Sequence, residues 1–429
     1  MTDALERLAA AVPANVRAVC KTLAQAGFQA VTVGGAVRDA LLERTPGDWD
    51  IATSATPDQV TPLFRHVIPT GIQHGTVTVV TGKGVHGHVE VTTFRGEGAY
   101  TDARRPDSVV FGVPLIEDFA RRDLVVNAIA YDVERGEIID PFGGRDDIAN
   151  RVLRAVGDPV ARFTEDGLRV MRAVRFAAQL EFALDPATEA AIAPALPSLA
   201  KVSRERVADE LRKILAARKP SRALAPALRT GIIATVLPEL AARLTDDVAR
   251  RGWLDVIDRV VSPEVRLGAV FAPFATPTAD PRRADTACAR EVRARAVSLK
   301  LSTHEADLAA RLASVARAAG EPTWSPIETR RLLAEIERER RPAAVELWQA
   351  EQGDALVGQA TQALAANVPL AVGDLAIDGK TLMAELALAP GPAIGKLLAA
   401  LLDAVIVDPS LNDPAQLLAR ARQPAPTDT

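Results

Sequence analysis

The sequence predicts an α+β chain of several domains: a head built on a small mixed sheet with helices, followed by an all-α remainder. Three observations predict this. Short runs rich in β-branched residues, bounded by Gly, Pro and Asp, are confined to the first ~145 residues. After about residue 150, Ala, Leu and Arg dominate and strand signals vanish. The chain has 429 residues, and at roughly 150 residues per domain that suggests two to four units.

In order, the head carries strand runs at 30–35 (AVTVGG), 49–53 (WDIAT), 76–81 (TVTVVT), 88–94 (HVEVTTF) and 136–141 (GEIIDP). Helical segments are predicted over Pro13–Ala26 and Val37–Leu42. Beyond the head, Leu168, Met171, Val174, Arg175 and Ala178 recur near helical spacing. Val207, Leu211, Ile214 and Leu215 form one apolar stripe, with Ser203 as its N-cap. Helices continue to about residue 420, punctuated by prolines such as Pro220, Pro238, Pro263, Pro322 and Pro390. The run at 275–285 reads as a loop, and 421–429 as a disordered tail.

The net charge of −4 and a pI near 5.9 do not advertise a nucleic-acid binder, although a local basic face can hide in such a total. One run is strongly basic: Leu199–Arg229 holds nine Lys/Arg, including Lys201, Arg204, Arg206, Arg212 and Lys213, against three acids. It reads either as a solvated helix face or, beside a nucleotide-handling head, as a phosphate-contacting surface. Two distant cysteines, Cys20 and Cys288, exclude a disulfide framework and a Cys/His zinc site. That usage fits a reducing cytoplasm. The acidic N-terminus does not resemble a signal peptide, and no membrane span is expected. The five histidines show no ligand spacing beyond His86 and His88, which read as a polar strand face.

The chemistry begins at Asp48 and Asp50, placed at i and i+2 in an expected strand, where side chains share a face. Two such carboxylates repel unless a cation lies between them, and Mg²⁺ prefers hard oxygen ligands. Alone, the pair is more often an Asp-rich turn. Its context points the other way. Gly34 and Gly35 stand between a strand and a helix, where backbone can approach a phosphate. Glu90, at the centre of its strand, is a third acid. It reads as a buried metal or metal-supporting group, or as a salt-bridged edge residue. Arg38 could reach triphosphate oxygens, or form a surface pair with Asp39.

Strand, Gly-Gly, helix and Asp-x-Asp in this order resemble the polymerase-β-type nucleotidyltransferases. The likeness is closer still to class II CCA-adding tRNA nucleotidyltransferases and bacterial poly(A) polymerases. It rests on GGAVRD, GDWDIATSATPDQV, VEVTTFRGEGAYTDARRPDSVVF, RRDLVVNAIAYD and the run from DPFGG to EDGLRVMRAVRFAA, and it extends from about residue 30 to 215. The resemblance implies a head over 1–145, a neck that recognises the base over 146–220, a body over 221–345 and a tRNA-binding tail over 346–429.

It also implies roles. Asp48 and Asp50 would bind two Mg²⁺ ions, and Arg122 and Asp123 would lie near the nucleotide sugar and phosphates, with Asn127 holding the segment. Asp166 and Arg169 would read the base from one helix face, oriented by Glu165 and Arg172. The chemistry agrees. Cytosine and adenine each offer an amino donor beside an acceptor ring nitrogen, which suits a carboxylate beside a guanidinium, whereas uracil and guanine do not. The segment at 96–106, with Tyr100, Asp102, Arg104 and Arg105, resembles the flexible loop tied to the switch from C to A addition; it could also be an ordinary polar loop. The basic neck and body helices would hold tRNA by its phosphates and shape.

The function so implied is template-independent addition of CMP and AMP, from CTP and ATP, to the 3′ end of tRNA. A poly(A) polymerase shares almost every motif. The runs at 71–80, 100–111 and 374–412 favour tRNA repair, while 230–370 matches weakly. An A-only enzyme and a catalytically silent RNA-binding protein are the remaining readings. Intact Asp48, Asp50, Asp166 and Arg169 argue against the last.

Overall fold

A computed structural model describes residues 2–84, 87–97, 109–275, 283–316 and 324–423. The predicted loop residues Tyr100, Asp102, Arg104 and Arg105, as well as His86, most of the 275–285 loop and the last six residues of the tail, lie outside the described residues. The chain divides into two compact units, Met1–Ala242 and Arg243–Thr429.

The first unit opens with α1 (Thr2–Ala11) and α2 (Ala14–Gln25). Its main sheet has seven strands: β1 (Ala30–Val33), β2 (Asp50–Thr53), β3 (Val67–Gly71), β4 (Thr76–Val80), β5 (His88–Thr93), β8 (Ala130–Asp132) and β9 (Glu137–Ile139). Two further strands, β6 (Arg95–Glu97) and β7 (Val109–Phe111), form a separate hairpin ladder. The order across the main sheet is β3-β4-β5-β2-β1-β8-β9. The β2–β5 pair is parallel and the other pairs are antiparallel, so the sheet is mixed, as expected.

Strand alternation decides what each face carries. Trp49, Ile51, Val77, Val79, Val89 and Val91 pack with Leu8, Val16, Leu23 and Val37 into one core cluster. On the opposite face, Val31, Val33 and Ala52 pack with Phe94, Phe119 and Val125. Asp50 shares the second face with Ala52, and Glu90 shares it with Thr92.

The strands at 67–71 and 130–132 were not expected. The first contains Pro69 and Gly71, which read as punctuation; as an edge strand it tolerates a proline. The second is three residues of an apolar stretch too short to show a period. Past residue 150 a two-residue parallel ladder, Val152–Leu153 with Ala183–Leu184, departs from the all-helical expectation.

Helices α3 (Gly35–Leu41), α4 (Pro57–Val60), α5 (Leu115–Ala120) and α6 (Gly144–Asn150) complete the head. Then follow α7 (Pro159–Glu165), α8 (Leu168–Leu180), α9 (Pro186–Ala190), α10 (Ile192–Leu199), α11 (Arg204–Leu215) and α12 (Ser221–Arg229). Helix α8 is almost wholly buried and packs on α11 and α12. Gly167, just before it, is required by close approach: a Cβ there would lie 2.3 Å from the backbone of Ser198 and Leu199.

The second unit is helical throughout its described residues. Several of its helices begin at side-chain caps, including capping boxes at Ser302/Glu305 and Ser325/Glu328. Helices Pro263–Phe271 and Thr303–Ser314 approach so closely that a Cβ at Gly268 would sit 2.5 Å from the Leu312 Cβ. Towards the C-terminus, Leu375, Ile377, Leu382, Leu401, Val405 and Leu417 form a smaller core.

Candidate active site

A cavity of about 810 Å³ opens on the sheet face that carries Asp50 and Glu90. Its walls include Gly34, Gly35, Arg38, Arg122, Asp123, Asn127, Asp166, Arg169 and Arg172, residues spread over more than a hundred positions of chain. Also lining it are His74, Thr76, Arg95, Asp118, Arg121, Arg175, Phe176, Gln179 and Arg206, which sequence reasoning did not assign to a nucleotide site. A signal existed for Asp118: an acid three and four residues before Arg121 and Arg122 on a helix.

At the sheet end, Asp50 begins β2 and pairs in parallel register with Glu90 of β5. Asp48 lies in a bend before the strand rather than in it, so the strand starts two residues later than the Asp-x-Asp pattern implied. Trp49, between them, is buried in the core cluster on the other face of the sheet. Glu90 is exposed on the cavity face, so the burial argument for its role does not hold; its position opposite Asp50 replaces it. Asp50 opens on the cavity, yet surrounding protein and the Glu90 and Asp48 charges push its pKa up to about 6, against the pull of Arg122. Among the described residues, no three His, Cys, Asp or Glu side chains are gathered closely enough to grip a metal by themselves. The donor set nevertheless fits Mg²⁺: the charges of Glu90 and Asp48 act on Asp50, and a divalent cation held by these hard oxygens would relieve that repulsion.

The floor is built by Gly34 and the RRD segment. Gly34 has φ +74°, which suits glycine, and a Cβ there would lie 3.3 Å from Arg122 Nη1. Arg122 Nη1 donates to the Asn127 carbonyl at 3.0 Å, and Nη2 donates to Asp118 Oδ2 at 3.2 Å. Arg121 also donates to Asp118, at 2.7 Å. Burial alone would raise the Asp118 pKa, but these two arginines outweigh it and hold the carboxyl below its ordinary range.

Asp123 sits in a relay. Its Oδ2 accepts from Arg172 Nε at 2.7 Å; its Oδ1 accepts from the Leu124 amide at 2.9 Å and from Asn127 Nδ2 at 3.2 Å. Asn127 Oδ1 in turn accepts from Arg38 Nη1 at 2.6 Å, and Arg38 donates to Asp39 Oδ1 at 2.8 Å. Burial works to raise the Asp123 pKa, but Arg172, Asn127 and Arg169 together pull it down to about 2. Two expectations change here. The Arg38–Asp39 pair forms, but Arg38 is only 7% exposed, so it is not a surface pair. Arg172 serves Asp123 rather than the base-reading residues. The Phe176 ring backs this wall, with the Arg38, Arg172 and Arg175 guanidinium carbons at 5.2, 5.6 and 4.0 Å from its centroid.

The far wall is the EDG turn. Asp166 is not on the helix of Arg169, as the spacing suggested: it ends α7 in extended backbone, and Gly167 caps α8. Asp166 Oδ2 accepts from Arg206 Nη2 at 2.7 Å, and Oδ1 accepts from the Leu168 amide at 3.0 Å. Glu165 Oε2 accepts from both Arg169 Nη1 and Arg162 Nη1 at 2.6 Å.

The basic run largely turns from the expected phosphate surface to local partners. Arg206 enters the cavity and Arg204 donates to the Val236 carbonyl at 3.2 Å. Arg212 pairs with Asp209 at 2.7 Å and Lys213 with Glu210 at 3.1 Å, while Lys201 is exposed. No described helix is long and apolar enough to cross a membrane.

This combination of mixed sheet, Gly-Gly turn and carboxylate edge defines a nucleotidyltransferase head. Residues 30–154 match the family model described as "Poly A polymerase head domain". Residues 181–244 match "Probable RNA and SrmB- binding site of polymerase A", and 288–421 match the model for tRNA nucleotidyltransferase domain 2. The crystal structure of the Bacillus stearothermophilus CCA-adding enzyme in complex with CTP is 34% identical, with a TM-score of 0.73 over 95% of this chain and 96% of that one. The chain belongs to the CCA-adding enzyme family.

Among curated relatives, the CCA-adding enzyme of Geobacillus sp. (strain WCH70) is 50% identical over 239 residues, which is 55% of this chain and 57% of that protein. The chain spans a little over half the length of the curated relatives it matches. The Thermotoga maritima CCA-adding enzyme complexed with tRNA, 18% identical with a TM-score of 0.64 over 95% of this chain and 93% of that one, shares the fold. The third family model covers much of the 230–370 stretch in which the sequence alone showed only a weak match.

Proposed function

We propose that this chain adds CMP and AMP, from CTP and ATP, to the 3′ end of tRNA, releasing pyrophosphate. The observation that carries the reading is one cavity bounded by the Asp50/Glu90 strand edge on one side and by Asp166 and Arg169 on the other. A nucleoside triphosphate needs both ends: cations for its phosphates and a donor–acceptor edge for its base. The crystallised relative at 34% identity holds CTP, which supports the substrate class.

Asp48 and Asp50, with Glu90 beside them, would hold two Mg²⁺ ions, and the chemistry so supplied is activation of the RNA 3′-hydroxyl and neutralisation of the leaving pyrophosphate. The chain's own residues do the rest. Arg38, Arg121 and Arg122 give the floor the positive charge a triphosphate requires. The Asp123–Asn127–Arg38 relay fixes Arg38, and Asp118 fixes Arg121 and Arg122, before substrate arrives, so little reorganisation is left to binding. Asp166 accepts the exocyclic amino hydrogen of cytosine or adenine, and Arg169 donates to the ring nitrogen. The exposed Lys201, Arg204 and Lys213 and the half-buried Arg212 are the candidates for contact with RNA phosphates; Arg206 belongs to the cavity.

The test is incubation with Mg²⁺, labelled nucleotides and tRNA trimmed of its 3′ end. Incorporation that stops after C, C and A supports this reading. Long tails from ATP on unstructured RNA would replace it with poly(A) synthesis. ATP addition only to tRNA already ending in CC would make the enzyme A-specific, and no incorporation would leave an RNA-binding protein.

A further inference from the structure

Asp166 and Arg169 carry opposite charges three residues apart. Opposite charges this near attract, and a pair closed on itself would offer a base neither acceptor nor donor. The structure supplies each with an outside counter-ion. Glu165 takes Arg169 at 2.6 Å and is itself anchored by Arg162. For Asp166 the counter-ion comes from another helix: Arg206 of α11, forty residues on, reaches Oδ1 and Oδ2 at 3.3 and 2.7 Å.

We propose that Arg206 is a positioning residue for base selection, holding Asp166 as a fixed acceptor facing the nucleotide. The inference rests on the base-reading role given to Asp166 above. An ionised carboxylate has about four acceptor sites. The Leu168 amide and Arg206 Nη1 occupy Oδ1, and Arg206 Nη2 occupies one site on Oδ2. The remaining site on Oδ2 is what an incoming amino group can use. A guanidinium that grips both oxygens also sets the plane of the carboxylate, which a lysine or a single hydrogen bond does not. Asp166 is mostly buried, with its side chain 16% exposed, so its contact with Arg206 is not dissolved in bulk water. Of the five basic residues first assigned to RNA, Arg206 is the one that lines the cavity.

The experiment compares Arg206→Gln, Arg206→Lys, Asp166→Ala and the double variant Arg206→Gln/Asp166→Ala. Steady-state kinetics on trimmed tRNA are measured with CTP and UTP, and melting temperatures identify any variant that fails to fold. Arg206→Gln should lower the CTP-over-UTP preference about tenfold or more, through the nucleotide term rather than KM for tRNA. Arg206→Lys should recover part of that loss, and Arg206→Gln should add nothing once Asp166 is gone. The proposal is overturned if Arg206→Gln keeps the preference that Asp166→Ala loses, or if only KM for tRNA rises. If Asp166→Ala itself keeps the preference, the base-reading role falls and this inference with it.

Discussion

The two units treat buried charge in opposite ways. In the first, the charged side chains around the cavity are joined to one another: Arg172 to Asp123, Asp123 to Asn127, Asn127 to Arg38, and Arg206 to Asp166. In the second, several buried side chains end on main chain. Arg341 donates to the carbonyls of Leu333, Ile336 and Leu370, Arg266 to that of Val260, and Trp348 to that of Val315. Glu346 caps the amides of Val261 and Ser262. A side chain that ends on backbone closes a loop or a helix end and has nothing left to offer. Side chains joined to each other around a cavity form a charged surface that a ligand can enter. The second unit's pattern is architecture, and the first unit's is a site.

If that contrast is sound, substitutions in the first unit should cost activity more than stability, and the reverse should hold in the second. The largest effect is expected from Asp50→Ala. Nucleotide transfer should fall by about three orders of magnitude, equivalent to about 4 kcal/mol of transition-state stabilisation. The metal-free protein should not be destabilised at pH 7. An Asp whose folded pKa is raised to about 6 carries a cost that is full above that value and vanishes as pH falls towards 3.8. Calorimetry at pH 7 and at pH 4 would therefore show relief only at the higher pH; a lower melting temperature at pH 7 would break the contrast.

Next, Arg341→Met should strip three carbonyls of their donor and cost about 3 kcal/mol. Three of the four tryptophans, Trp253, Trp324 and Trp348, are in the second unit, so fluorescence-detected denaturant unfolding reads this directly. CTP affinity of the folded protein should be unchanged.

Asp123 tests the boundary between the two patterns, since its relay both shapes the floor and holds it together. Its folded pKa of about 2 lies below the ordinary 3.8. Its stabilisation, about 2 kcal/mol, is therefore present above pH 4 and lost as pH falls towards 2. Acid unfolding should lose that slope in Asp123→Asn; parallel curves for the two proteins would remove the relay from the stability account.

The smallest effect belongs to Arg212→Ala. It breaks an i,i+3 pair with Asp209 on the outer face of α11 and should shift stability by no more than ~0.5 kcal/mol. A large shift would mean that the exposed basic run is structural after all.

Much of the first unit was legible because its chemistry is local. Strand, Gly-Gly and helix are contiguous, and Asp50 to Glu90 needs only the alternation of two strands. What escaped were contacts made across the chain. Nothing within α11 says that Arg206 turns inward while Arg212 faces out, since that depends on where Asp166 lies forty residues earlier. The spacing of Asp166 and Arg169 suggested one helix, but Gly167 breaks it because the backbone of Ser198 and Leu199 leaves no room for a side chain. Glu90 was placed on its strand and face correctly but not in its exposure, which depends on the open cavity beside it. In the second unit Pro263 marked the start of a helix, while close approaches such as Gly268 against Leu312 had no local signal in the sequence.

The strand order carries a consequence for how the protein comes into being. Thr32 of β1 donates to the Tyr131 carbonyl of β8 across 99 residues, and β2 must find β5 in parallel, with β3 and β4 intervening in the chain. The helices Thr286–Ser298 and Thr303–Ser314, by contrast, pack as immediate neighbours in sequence. Local contacts close quickly and distant ones slowly. During refolding the helices Thr286–Ser298 and Thr303–Ser314 should pair before Asp50 meets Glu90 across 40 residues or β1 meets β8 across 99. The cavity that Asp50 and Glu90 edge is then a late product of folding, completed after the helical neighbours have paired.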